Sequence, residues 1–291
     1  MQRLGIDIGG TSIKASLIAG DAETWHGRSL RYARPGRDAL ADTLARVLRP
    51  VLAQGGSIEY VGLCAPGVLA PDASSIAMSI NVPGLVGTRF DELLGAAGID
   101  VGALQAPPKV VTDAFAAATD ASRVLNLAGR VLALSIGTGV GACVLDAGVP
   151  LIVSGQGPGH FGQIDVSLAA GSLAGVPIGP DGGRGTLEGY IGVPALRSRY
   201  GDDIESALAS LTPDAVPCRA LVRALRIAHA LYRPQHVVLL GGVGIRLAHI
   251  AEGLRAAVSH ELTSVARPDW TLRCGTTDLH AARGAAWLAG C

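Results

Sequence analysis

Leu4-Gly5-Ile6-Asp7-Ile8-Gly9-Gly10-Thr11-Ser12-Ile13-Lys14-Ala15-Ser16-Leu17-Ile18 decides the fold. An apolar run meets an aspartate, then a Gly-Gly-Thr turn, then a second apolar run with β-branched members. That pattern predicts a β-hairpin rather than a strand, turn and helix. Gly9 and Gly10 can adopt backbone angles closed to other residues, so a phosphate can approach the main chain there. Successive N–H groups in such a turn form a concave anion site, to which Thr11 adds a hydroxyl donor. Asp7, at the end of the first strand, is placed to hold Mg2+ through water, because Mg2+ usually keeps several waters and takes one or two carboxylates. The plainer alternative is a structural hairpin with an incidental aspartate.

Val131-Leu132-Ala133-Leu134-Ser135-Ile136-Gly137-Thr138-Gly139-Val140-Gly141-Ala142-Cys143-Val144-Leu145 repeats the plan. It reads as a buried strand, a Gly-Thr-Gly turn and a second strand. Two such hairpins in separate halves predict two lobes closing on one run of phosphates. A third glycine turn, Gly241-Gly242, follows the apolar strand His236-Val237-Val238-Leu239-Leu240 and suits close backbone approach to a flat ring such as adenine.

Taken in this order, the three glycine turns resemble the actin-like ATPase fold of the sugar kinases, and most closely the ROK family (repressors, open reading frames and sugar kinases). The resemblance covers nearly the whole chain. Val61-Gly62-Leu63-Cys64-Ala65-Pro66-Gly67-Val68 is similar to the family's Pro-Gly strand end. Asn81-Val82-Pro83-Gly84-Leu85 is similar to its Asn-x-Pro-Gly-Trp sugar loop, with Leu85 where tryptophan is usual. Val110-Val111-Thr112-Asp113-Ala114-Phe115 resembles the segment carrying the catalytic aspartate, with Thr112 in place of asparagine.

The resemblance implies an α/β protein with the two-lobed actin-like (ribonuclease H-like) fold and an ATP cleft between the lobes. The expected division is 1–115 for an N-terminal lobe and 116–291 for a C-terminal lobe, with the terminal helix packing back on the first. It implies ATP and Mg2+ as cofactors and a sugar as substrate. Asp7, Gly9, Gly10, Thr11, Lys14, Gly137, Thr138, Gly139, Gly241 and Gly242 would bind the nucleotide. Asp113 would be the general base that takes the proton from the sugar hydroxyl; its alternative is a helix N-cap. Asn81, Gly84, Thr112, His160, Gln163 and Glu188 would bind the sugar. A turn asparagine is the alternative for Asn81, first-turn capping for Glu188, and an ordinary loop residue for His160.

Two departures from the family pattern bear on substrate. Gly155-Gln156-Gly157-Pro158-Gly159-His160-Phe161-Gly162-Gln163 stands where the family has Gly-Glu-x-Gly-His. Counted without a gap from Gly148, His160 falls on the glutamate and Gln163 on the histidine; a one-residue slip puts His160 on the histidine. Pro180-Asp181-Gly182-Gly183-Arg184-Gly185-Thr186-Leu187-Glu188 keeps the glycines and acid of the zinc motif but none of its cysteines, so no zinc is expected. Together these changes point to a hexose or hexose derivative other than plain glucose. A nucleotide- or sugar-binding sensor with little kinase activity is the alternative class. Polyphosphate in place of ATP would call for a basic track beside the hairpins, and the linear sequence shows none.

The 291 residues carry 24 basic and 24 acidic side chains, for a formal net charge of zero. That balance argues against a nucleic-acid surface spread over the protein. Apolar residues make up 49% and charged residues 16%, which supports a sizeable core. The apolar runs are interrupted well before bilayer-spanning length. Five scattered cysteines and a start that passes straight into the hairpin fit a reducing cytoplasm. Related kinases are often dimers, and a homodimer is expected by resemblance.

Overall fold

The computed structural model describes residues 1–153, 157–167, 176–179, 182–266 and 269–290. The first hairpin is strands β1 (Gln2–Ile8) and β2 (Ile13–Ala19), closed by the pair Ile8 and Ile13. Strand β3 (Ala22–Arg28) extends it into a meander. Helix α1 (Arg37–Leu52) follows and buries Leu40, Leu44, Val47, Leu48 and Val51, the apolar stripe of a 3.6-residue period. Pro50 sits in its last turn, and the helix stops two residues later.

Strand β4 (Tyr60–Ala65) runs parallel to β1. The small pair β5 (Val68–Leu69) and β6 (Ile76–Met78) and helix α2 (Phe90–Ala96) lead to β7 (Lys109–Thr112) and helix α3 (Asp113–Val124). The sheet order is β3-β2-β1-β4-β7.

A second sheet repeats the plan. Strands β8 (Arg130–Ile136) and β9 (Val140–Asp146) form its hairpin, with β10 (Val149–Pro150) at the edge. Short helices α4 (Leu187–Ile191), α5 (Val193–Tyr200) and α6 (Ile204–Ala209) precede the long α7 (Val216–Tyr232). Strand β11 (His236–Leu240) runs parallel to β8 and enters a single helical turn, α8 (Gly241–Gly244). A 3-10 segment, Ile245–Ile250, follows and leads into α9 (Ala251–Glu261). Strand β12 (Thr271–Cys274) completes the order β10-β9-β8-β11-β12.

The last helix, α10 (His280–Leu288), belongs to the first body. It lies on β1, β4 and α3, and glycines make the approach possible. A Cβ on Gly5, Gly62 or Gly284 would collide with the backbone of Ala282, Ala285 or Ala116 respectively. The small side chains of α3 (Ala114, Ala116, Ala117, Ala118 and Ala121) present the matching flat face. Buried Asp120 pins the contact: it takes His280 Nδ1 at 2.6 Å and Trp287 Nε1 at 3.0 Å. Compact unit 1 is therefore Met1–Val124 with the stretch from Leu279, and unit 2 holds Leu125–Val153 and Gly157–Asp278. The expected division at 115/116 would cut α3; packing on α10 keeps that helix whole in unit 1.

Candidate functional site

In unit 1 the register of the strands builds one row across the sheet. Asp7 pairs with Lys14 on one side and Cys64 on the other; Cys64 pairs with Val111, and Lys14 with Arg28. Residues paired in this way share a face of the sheet. The row lies at the carboxyl ends of the parallel strands, where α/β proteins place their ligands. Asp7 is 5% exposed; one oxygen is 3.6 Å from Lys14 Nζ, and the other takes a weak bond from Cys64 Sγ at 3.8 Å. The same thiol reaches the Ala281 carbonyl of α10 at 3.5 Å. Burial, then the charges of Asp7 and Asp113, push the Cys64 thiol well above its ordinary pKa, so it is a neutral spacer rather than a nucleophile.

Asp113 follows β7 as the first residue of α3. Its sequence alternative, the N-cap, belongs to Thr112, whose Oγ1 accepts from Phe115 N at 3.3 Å. The Asp113 carboxylate accepts from Ala114 N at 2.8 Å. Removal from water and the nearby Asp7 charge raise its pKa from 3.8 to about 6. A carboxylate tuned towards neutrality beside a second, buried carboxylate suits a general base.

The Gly9–Ser12 turn is closed by Gly9 N donating to Ser12 O at 3.0 Å. A residue outside the glycine motifs braces it: Tyr32 donates its hydroxyl to Gly9 O at 2.7 Å and its N–H to Thr11 O at 2.9 Å. Tyr32 is 23 residues from Gly9, and no local pattern announces it. Among the described residues, no backbone acceptor takes the N–H of Gly10 or Thr11. The turn thus fits the phosphate cradle expected of it.

The 81–85 loop divides its roles. Asn81 is half-buried at the start of a 3-10 turn, Pro83–Leu85. Gly84 has a packing reason of its own, because a Cβ there would strike the backbone of residues 35–37.

Unit 2 carries the other predicted residues. Gly137 N donates to Gly139 O at 2.9 Å, and Val193 N donates to Gly137 O at 2.9 Å. Glu188 on α4 takes the N–H of Val140 at 2.8 Å, locking the far side of the same turn. That link is neither of the two roles expected for Glu188. Thr138 and Glu188 line a cleft of about 590 Å³ with Ser198 and Arg199. Gly241 adopts φ of 75°, a left-handed conformation that favours glycine, and abuts the backbone of Ile136. Arg246 donates to Gly242 O at 2.7 Å and pairs with Glu205 at 2.8 Å. His160 is exposed ahead of a 3-10 turn, Phe161–Gln163. Gln163 Oε1 is buried and, among the described residues, meets no hydrogen-bond partner. The motif residues Gly155, Gln156, Pro180 and Asp181 lie outside the described residues. Among the described residues no group of three or more His, Cys, Asp or Glu side chains is arranged to hold a metal ion, and no helix is long and apolar enough to cross a membrane.

The chain has the actin-like ATPase fold: a ROK family glucokinase from Streptomyces griseus, solved with glucose and AMPPNP, superposes with a TM-score of 0.72 at 19% identity, covering 100% of this chain and 99% of that one. A family model described as "ROK family" matches residues 3–290, and the chain belongs to the ROK family. It is similar to a kanosamine kinase of Amycolatopsis mediterranei, 27% identical over 99% of this chain and 95% of that protein. It is also similar to an N-acetylmannosamine kinase of Escherichia coli O157:H7, 30% identical over 56% of this chain and 54% of that protein. Both of these relatives are named as sugar kinases.

Proposed function

We propose that this protein transfers the γ-phosphoryl group of Mg-ATP to a hydroxyl of an amino- or N-acylamino-substituted hexose, with Asp113 as general base. The observation that carries this is the placement of Asp113 at the end of β7, beside buried Asp7, with its pKa raised to about 6. Such a base typically contributes about 10²–10⁴-fold to the rate.

Mg-ATP, when bound, supplies the phosphoryl group and neutralises part of its charge. In unit 1, Gly9, Gly10, Thr11 and Lys14 would offer phosphate donors, and Asp7 would help to hold the metal. Asp113 accepts the hydroxyl proton, while Asn81, Thr112 and the Gly84 turn orient the sugar. In unit 2, Gly137, Thr138 and Gly139 offer backbone donors, and Gly241 and Gly242 border the adenosine. Gln163 supports the choice of substrate: its buried carbonyl, without a hydrogen-bond partner among the described residues, would take a hydroxyl or ammonium hydrogen. The curated relatives are both named for amino-substituted sugars.

The test is ADP release from Mg-ATP against hexoses, amino sugars, N-acetylated sugars and acidic sugars, with Asp113→Asn in parallel. Turnover with an amino-substituted hexose, lost in the variant, is expected. Glucose turned over at least as well as every amino sugar would remove the substrate reading. ATP binding without turnover on any sugar would favour a sensor.

A further inference from the structure

No basic track is expected beside the hairpins, yet Arg28, Arg31, Arg34 and Arg37 follow the first one within ten residues, and the fold gathers two of them with a third arginine from α1. Arg28 ends β3, Arg31 lies in the following loop, and Arg46 stands on α1. All three line one cleft of about 360 Å³ in unit 1, together with Ser29, Tyr32 and Thr43. Among the described residues no carboxylate lines it. Arg31 and Arg46 have no acidic group within 4.0 Å among the described residues. In a chain of zero net charge this is a local concentration of one sign.

The hydroxyls of the cleft are already used inside the protein. Tyr32 donates to Gly9 O, Thr43 to Ala39 O and Ser29 to Leu30 O. What faces a ligand is therefore guanidinium, whose planar fork of donors matches the oxygens of a phosphate. The cleft is also tied to the phosphate turn. Ser29 Oγ accepts from Ile13 N at 2.9 Å, Ser29 N donates to Ile13 O at 2.9 Å, and Tyr32 holds both Gly9 and Thr11. A ligand seated on Arg31 and Arg46 thus rests against the segment that shapes the Gly9–Ser12 turn.

We propose that this cleft is a second phosphoryl-binding site, distinct from the hairpin turn. Its ligand is a phosphate-bearing anion: the distal end of a polyphosphate chain, a sugar phosphate, or inorganic phosphate. The recognition chemistry is the same for all three.

Calorimetric binding to the full chain distinguishes the sources, with sodium tripolyphosphate, glucose 6-phosphate and inorganic phosphate as separate probes. The Arg31→Gln/Arg46→Gln double variant is the control, and neither residue belongs to the catalytic machinery. At least one probe is expected to bind wild type and to lose tenfold or more in affinity in the double variant, with ATP affinity and thermal midpoint unchanged. Binding to wild type should also weaken as salt is raised. Tripolyphosphate tightest of the three identifies a chain site, glucose 6-phosphate tightest a product site, and phosphate tightest a free-anion site. Equal affinities in wild type and variant, or no binding of any probe at millimolar concentration, overturns the proposal. Because binding is read rather than turnover, its failure is separable from failure of the kinase reading.

Discussion

The two sheets share a plan and divide the chemistry. Each is a hairpin continued by two parallel strands, in the orders β3-β2-β1-β4-β7 and β10-β9-β8-β11-β12. In unit 1 the pair next to the closing pair is Asp7 with Lys14. At the same step in unit 2, next to Ile136 with Val140, the pair is Ser135 with Gly141. The turns differ as well: four residues, 9–12, in the first and three, 137–139, in the second. The first is braced by Tyr32 from the loop that follows its own meander, the second by Glu188, 48 residues beyond Val140. Topology sets where a phosphate-binding turn can stand. In the proposed reaction, the side chains beside the turn decide which of the two also carries the proton transfer.

The sharpest way to break this asymmetry is Asp113→Asn. Turnover should fall about 10²–10⁴-fold. Stability should move the other way. A carboxyl whose pKa is raised on folding, here from 3.8 to about 6, favours the folded state fully below pH 3.8, and that contribution is lost as pH rises through 6. Asparagine removes this penalty, so at pH 7 the variant should gain about 1–3 kcal/mol in chemical denaturation. Equal stability of variant and wild type at pH 7 would mean that Asp113 is not held against its ionisation.

The next largest effect tests the packing of unit 1 alone. Gly284→Val forces a side chain into the backbone of Ala116 and should cost about 1–3 kcal/mol or more, read as a lower thermal midpoint. A bulky residue tolerated there without loss would mean that α3 and α10 are not in close contact.

Glu188→Ala sharpens the comparison from the other side. It leaves Val140 N without its acceptor and should cost about 1–3 kcal/mol, with a severalfold rise in the KM for ATP. Glu188→Gln keeps an acceptor oxygen and should recover most of the loss. If both variants raise the KM for sugar and leave that for ATP alone, Glu188 is a sugar ligand first.

The smallest effect is a shift in pH dependence. The rate should fall on the acid side as Asp113 takes up its proton, near pH 6. The Asp7 charge helps to raise that value, so Asp7→Asn should move the acid limb to lower pH in whatever activity remains. A limb that stays in place or moves up would disconnect the two carboxylates.

Much of this arrangement is legible in the chain. Both hairpins follow from apolar runs interrupted by glycine and threonine, because strand pairing across a short turn is a local event. The stripe Leu40, Leu44, Leu48 declares α1 in the same way. Other features are silent until the chain folds. Thr112 and Asp113 both suit a helix start, and only the geometry assigns the cap to Thr112 and leaves Asp113 beside Asp7. Gly84 belongs to a motif for sugar binding but also owes its place to the approach of residues 35–37.

Sequence pattern alone settled the strands, the glycine turns, the catalytic aspartate as a candidate and the family, since each depends on neighbours within a few residues. Tertiary structure decided what stands beside them: Cys64 between Asp7 and the Ala281 carbonyl, Tyr32 against Gly9, Glu188 on Val140, and three arginines from β3, its loop and α1 in one cleft. Those contacts join residues 23, 48 or 217 positions apart. Register and packing select them at such distances, and no local propensity encodes a partner that far along the chain.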